Sequence, residues 1–174
     1  MSSKPRRIFV LDASAFMYGY PSVVVEGEHF TPLAVLEELK SLQARAYADA
    51  VLSSKHVEVL PPPRECLEEV SKKAEQLGSL QVLSRADLEV LALALYLKKK
   101  ESAEVTVVSD DYDVQNVAAA LGLRFQPLRT SGIKAVFKWI YYCPSCGKIY
   151  RQPQPSLRCE ICGSFLKRRP RKRG

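Results

Sequence analysis

Unbroken apolar runs that stop at polar residues alternate along this chain with longer stretches of helical spacing. Arg6 to Asp12 (RRIFVLD) is apolar until a carboxylate ends it, which predicts a short strand buried on both faces. Thr31-Pro32 reads as a cap followed by proline at the first helical position, opening a helix of roughly twenty residues towards Ser53. Its apolar stripe is Val35, Leu39, Leu42, Ala46 and Ala50. Val57 to Leu60 predicts a second strand, stopped by the prolines at 61 to 63. A helix from Arg64 to Leu77 follows, and Ser84 caps another that ends at Lys98, Lys99 and Lys100, whose charge suits a helix C-terminus. Glu104 to Ser109 is a third, β-branched strand; a helix from Asp111 or Tyr112 to Leu121 stops at Gly122; Leu123 to Gln126 is the last strand. Strands alternating with helices predict an α/β fold with a parallel sheet covered by helices on both faces.

Charge divides the chain. Residues 1 to 128 hold 14 Lys+Arg and 18 Asp+Glu, a balance of −4, while residues 129 to 174 hold 12 Lys+Arg and Glu160 alone, a balance of +11; together these make the net +7. An acidic larger part joined to a basic ribbon suits metal-dependent chemistry in one and a polyanion, nucleic acid foremost, on the other. The boundaries expected are a main domain over 1–128, a linker over 129–138, a small module over 139–166 and a basic tail over 167–174, with six cations in Lys167 to Arg173. The tail is expected to stay mobile until phosphates neutralise it. No apolar run is long enough to span a bilayer, and the start from Met1 to Arg7 is polar and basic rather than a leader, so a cytoplasmic protein is expected.

Two CxxC pairs, Cys143-Pro144-Ser145-Cys146 and Cys159-Glu160-Ile161-Cys162, are each followed by glycine. Four thiolates so spaced can surround one zinc ion, and with every position filled by sulfur the ion is structural rather than catalytic. Reducing surroundings favour zinc over disulfides, leaving Cys66 as a fifth, separate cysteine. Tyr141, Tyr142 and Tyr150 around this module serve either to pack it or to stack bases.

The chemistry must then lie in the larger part, which has no glycine-rich phosphate loop and no GxSxG elbow. His29 and His56 are expected at the surface. Ligands of parallel α/β sheets bind beyond the carboxyl ends of strands, and two strands here end in acid: Asp12, and Asp110-Asp111. By helical arithmetic Glu38 borders the apolar stripe, and Asp87 shares a face with Val90, Leu91, Ala94 and Leu95. Each acid also has a structural reading: Asp87 completes a capping box with Ser84, Asp110, Asp111 and Asp113 serve as turn and cap residues, and Glu38 is one exposed charge among several. Asp12 resists such a reading, because a carboxylate closing a buried strand has to be solvated, paired or metal-bound. Carboxylates gathered closely favour a divalent cation with oxygen ligands, Mg²⁺ or Mn²⁺.

The segments LDAS, TPLAVLEEL, LSRADLEVLALAL and VSDDYDVQNVA, taken in order, resemble the PIN-domain nucleases over about residues 6 to 128. With the CxxCG ribbon over about 139 to 166 and the basic tail, the whole chain resembles the archaeal Nob family of ribosome-assembly endonucleases. The resemblance implies a Mg²⁺- or Mn²⁺-dependent, single-strand-specific endoribonuclease that matures the 3′ end of small-subunit ribosomal RNA. Its partners would be the precursor rRNA, the small-subunit precursor and assembly factors. Asp12, Glu38 and Asp87 carry over as catalytic residues; Asp110 and Asp111 both remain open for the fourth, with Asp113 as a further possibility for a metal-bound water. Asp12, Asp87 and Asp110 or Asp111 would be the metal ligands. Ser109 stands where many PIN domains have threonine and keeps the hydroxyl. Two other classes stay in view, a non-catalytic RNA-binding module and a toxin-like PIN ribonuclease.

Overall fold

The computed structural model describes residues 6–20, 26–101, 103–152, 154 and 156–171. The polar start before Arg6 and the tail cations Lys172 and Arg173 lie outside them. Among these residues five parallel strands form the main sheet: β1 (Arg6–Leu11), β2 (Glu28–Thr31), β3 (Glu58–Val59), β4 (Ala103–Val108) and β5 (Arg124–Gln126), in the order β3-β2-β1-β4-β5. The apolar end of β1, Ile8 to Leu11, is fully buried, as the unbroken run predicts. β1 pairs with β4 over six residues, from Arg6 opposite Ala103 to Leu11 opposite Val108. The chain passes from β1 to β2 on one side and later returns to β4 on the other, so the switch point of the sheet lies between β1 and β4.

Among the described residues six helices cover the sheet: α1 (Ala13–Met17), α2 (Leu33–Glu38), α3 (Leu42–Ser53), α4 (Arg64–Leu77), α5 (Arg85–Lys100) and α6 (Tyr112–Ala120). The predicted bounds of α4 are observed, and α5 begins after Ser84 in a full capping box with Asp87. α5 buries Val90 through Leu95 and Leu97 across the core. At about 25 cal/mol per Å² of apolar area removed from water, such all-round burial stabilises far more than its capping does.

Three expectations are corrected. The twenty-residue helix is broken: α2 stops at Leu39, whose backbone is extended, and Ser41 caps a new helix by accepting a hydrogen bond from Ala44 N at 3.0 Å. The break re-phases the stripe, so Ala44 and Ala48 are buried while Ala46 and Ala50 are exposed and Leu42 is 84% exposed. Thr31 is no cap; it ends β2, buried, and its hydroxyl donates to Leu11 O at 3.0 Å. His29 is buried in β2, stacked on Phe9 with centroids 5.1 Å apart, because the short strand β2 escaped the periodicity; His56 is exposed as expected.

The basic part forms a second, antiparallel sheet of β6 (Trp139–Tyr142), β7 (Ile149–Tyr150) and β8 (Lys167–Pro170), ordered β7-β6-β8. The start of the tail is therefore a strand and not a mobile arm, with Lys167, Arg168, Arg169 and Pro170 paired to Tyr142 through Trp139. Alternation along β8 turns Arg168 inward and leaves Lys167 and Arg169 exposed, which separates the cations. Among the described residues no helix is long and apolar enough to cross a membrane.

Candidate active site and zinc centre

The parallel pairing of β1 and β4 sets their carboxyl ends side by side, so Asp12 emerges next to Ser109. Asp12 is buried; its Oδ2 accepts from Ser109 Oγ at 2.6 Å and its Oδ1 from Ala13 N at 2.6 Å, where it caps α1. Ser109 Oγ also accepts from Asp111 N at 3.1 Å. One buried hydroxyl thus ties the two strand ends together. Burial pushes the Asp12 pKa up; the hydrogen bonds from Ser109 and Ala13 oppose the rise, and the charges of Asp111 and Glu38 add to it. Asp87 comes from the first turn of α5. It is pushed up to about 6 by burial, with Asp12 and Asp111 adding and the Ser84 contacts opposing. The charge of Asp111 thus reaches both Asp12 and Asp87, that of Glu38 reaches Asp12, and that of Asp12 reaches Asp87.

The remaining acids do different things. Asp111 is exposed and caps α6, its Oδ1 accepting from Asp113 N at 2.6 Å and Val114 N at 3.3 Å. Asp110 turns to the segment after β5: Oδ1 accepts from Leu128 N (2.8 Å), Arg129 N (3.0 Å), Thr130 N (3.1 Å) and Thr130 Oγ1 (3.1 Å), and Oδ2 from Arg129 N (3.1 Å). Burial alone would raise its pKa, but these donors from Arg129, Thr130 and Leu128 outweigh it and hold the carboxyl below the ordinary aspartate range. Asp113 is buried and faces away, accepting from Ser79 Oγ (2.8 Å), Trp139 Nε1 (2.7 Å) and both terminal nitrogens of Arg168 (2.9 and 2.7 Å). Arg168 also lies 4.2 Å from the Trp139 ring centroid. This contact joins α6 of the main domain to the ribbon, and a Cβ at Gly78 would stand only 3.2 Å from Trp139 Cβ where the two parts meet. Asp113, considered from the sequence as a cap or as the holder of a metal-bound water, instead pairs with Trp139 and Arg168, 26 and 55 residues away in the chain and so beyond local reading.

Among the described residues, the side chains that bring three or more ligand atoms onto one point are Cys143, Cys146, Cys159 and Cys162, with all four Sγ atoms within 4.8 Å of one another. A tetrahedron with metal–sulfur bonds of about 2.3 Å has edges of about 3.8 Å, so the set fits a zinc ion. None of the five cysteines is disulfide-bonded, and Cys66 is buried separately in α4. Gly147 and Gly163 follow each pair with φ of 75° and 72°, turning the chain back over the sulfurs. The Tyr150 hydroxyl lies 3.2 Å from Cys159 Sγ and favours its thiolate, drawing that pKa down to about 6. Tyr141 and Tyr150 are buried and pack the module, while Tyr142 remains half-buried beside Arg169.

The carboxylates do not close on a point in this way. Carboxylate oxygens of this kind suit a hard divalent cation that would keep several of its waters.

The main domain is a parallel α/β sheet with acids at its β1/β4 switch, and its sequence places it in the class of PIN-domain ribonucleases. The model for the PIN domain of ribonuclease matches residues 9–97, a span that includes Asp12, Glu38 and Asp87. The chain is 42% identical over 163 residues to Endoribonuclease Nob1 of Pyrococcus abyssi, covering 94% of each. It is 35% identical over 161 residues to Endoribonuclease Nob1 of Methanothermobacter thermautotrophicus, covering 92% of this chain and 91% of that one. It is also 36% identical over 166 residues to Ribonuclease VapC1 of Thermoplasma acidophilum, covering 95% and 80%. The chain belongs to the Nob1 family of PIN-domain endoribonucleases.

Proposed function

We propose that this protein is a divalent-metal-dependent endoribonuclease that cuts single-stranded RNA and matures the 3′ end of small-subunit rRNA, working in the cytoplasm on the small-subunit precursor alongside assembly factors. The observation that carries the reaction is the gathering of carboxylates at the sheet's switch point, where the Ser109 hydroxyl bonds Asp12 and the Asp111 backbone and the charge of Asp12 bears on Asp87, docked against a basic ribbon. The rRNA assignment rests on the family resemblance. In this reading residues 1–128 are the nuclease unit, 129–138 the connection, and the ribbon extends from 139 past 166 to include β8.

Asp12, Asp87 and Asp111 would hold Mg²⁺ or Mn²⁺, with Glu38 at the edge; the ion would polarise the scissile phosphate and lower the pKa of a water. Ser109 keeps one Asp12 oxygen oriented and fixes the Asp111 backbone. Of the adjacent pair, Asp111 is the ligand and Asp110 the anchor of the segment 128–130, since both Asp110 oxygens are already engaged. The four cysteines hold a structural zinc.

A toxin-like ribonuclease is the second reading, favoured by the likeness to Ribonuclease VapC1 along 95% of this chain, which includes the ribbon. Purified protein with Mn²⁺ should cut single-stranded RNA spanning the 3′ end of small-subunit rRNA at one position, and Asp12→Asn should abolish the cut while leaving RNA affinity nearly intact. Cleavage scattered over unrelated RNAs would favour the toxin-like reading. Binding with no cleavage would leave only an RNA-binding module.

A further inference from the structure

Resting on the nuclease reading above, we infer that Tyr18 and Arg129 form a nucleobase platform beside the carboxylate site, taking the base of a nucleotide next to the scissile phosphate. Tyr18 ends α1, the helix that Asp12 begins, and six residues at 1.5 Å each set it about 9 Å along the axis from Asp12. Tyr18 is 41% exposed, and the Arg129 guanidinium lies 4.2 Å from its ring centroid. Arg129 is held there by its backbone, whose N–H donates to both Asp110 oxygens. Asp110 N in turn donates to Ser14 Oγ on α1 at 3.3 Å, so helix and loop are braced together at the edge of the site.

The contrast with Arg168 gives this pair its meaning. Arg168 also stacks on an aromatic ring, but its donors are spent on Asp113. Among the described residues the Arg129 side chain has no carboxylate partner, so a cation stands exposed over an exposed ring with its fork of donors free. Cation–π attraction holds the ring and the guanidinium together, yet it leaves the guanidinium donors and part of the ring open to a ligand. Single-stranded RNA supplies what both lack, a base to stack on the ring and a phosphate for the guanidinium. Placed at the far end of the short helix that Asp12 begins, the platform takes the base of a neighbour of the cleaved linkage, so it sets register and selects flexible, unpaired RNA over a duplex whose bases are already stacked.

The test uses full-length protein and a single-stranded RNA cut at a mapped position, in which one nucleotide at a time is replaced by an abasic unit. At one position near the cut the abasic unit should lower kcat/KM of the unaltered protein by about 5- to 150-fold, the range for loss of one stacked base. Tyr18→Leu should lose a similar factor on intact RNA and be insensitive to the abasic unit at that position. Tyr18→Phe should behave like the unaltered protein, and Arg129→Gln should reduce the salt slope of binding by about 0.7. Equal abasic penalties in the unaltered protein and in Tyr18→Leu at every position would overturn the platform. A second readout stands apart from cleavage: 2-aminopurine walked along the same RNA, bound without Mn²⁺, should change fluorescence at one position, and Tyr18→Leu should remove that change. If no RNA is cut the nuclease reading fails, yet this signal still decides the platform, and its absence from every position overturns it.

Discussion

Replacing Arg168 by methionine tests whether the ribbon is locked to the nuclease part by the buried Asp113 contact. Asp113 accepts two bonds from Arg168 besides those from Ser79 and Trp139. Removing one partner of a buried pair costs about 3–5 kcal/mol, because the other charge is left in a poor solvent. Here the exposures are unequal: the Asp113 side chain is 8% exposed and that of Arg168 30%. Arg168→Met strands the deeper charge and also removes the stack on Trp139, so about 3 kcal/mol is expected after allowing for partial hydration. Asp113→Asn strands a guanidinium that water can reach and keeps an acceptor for Ser79, so about 1–2 kcal/mol is expected. Trp139 is the sole tryptophan and sits in the contact, so its emission reports docking directly. In urea, with a slope of about 1–3 kcal/mol per molar, the Trp139 transition of Arg168→Met should move about 1–3 M lower and precede the loss of helical circular dichroism. Emission and midpoint indistinguishable from the unaltered protein, or a larger loss in Asp113→Asn than in Arg168→Met, would refute the asymmetric clamp.

Further outcomes follow from the two proposed metal sites and from β8. Elemental analysis should find one zinc per chain, kept in Cys66→Ala and lost in Cys159→Ala with unfolding of the ribbon, since such sites supply about 10–16 kcal/mol of apparent folding free energy; zinc surviving Cys159→Ala contradicts the assignment. At limiting Mn²⁺ the cleavage rate should rise with pH through about 6, as Asp87 loses the proton that competes with the cation, and saturating Mn²⁺ should move the rise to lower pH. The sign for stability is the reverse: a raised carboxyl pKa stabilises the metal-free fold below the unfolded value near 4, and that contribution is lost as pH rises through about 6, so Asp87→Asn should stabilise the metal-free protein at pH 7 but not at pH 4; an equal effect at both pH values would argue against it. Because β8 is a strand of the ribbon, neutralising the outward cations Lys167, Arg169 and Arg171 is the better probe than truncation; the salt slope of RNA binding should fall by about two units, at about 0.7 per phosphate contact, with zinc retained.

Features written in short-range chemistry were legible along the chain: the Ser84 capping box, the proline stop before α4, the CxxCG turns and the apolar run of β1. Each is decided within a few residues, by a backbone donor that needs an acceptor or a sulfur that needs a neighbour. The break between α2 and α3 was missed although Ser41 is a good cap, because helical spacing continues across it and only burial of Leu39 against the core favours the turn. Asp12, Glu38 and Asp87 could be selected as candidates by strand ends and helix faces. The distinction between Asp110 and Asp111 could not, since adjacent aspartates look alike until one meets the backbone of Leu128, Arg129 and Thr130. The basic run at 167–170 reads as disordered by its charge, yet it pairs as a strand once Asp113, 55 residues earlier in the chain, accepts Arg168. Local sequence thus specified elements and the types of ligand, whereas the orientation of each carboxylate awaited the fold, because a charged group is settled by the donors that surround it in space.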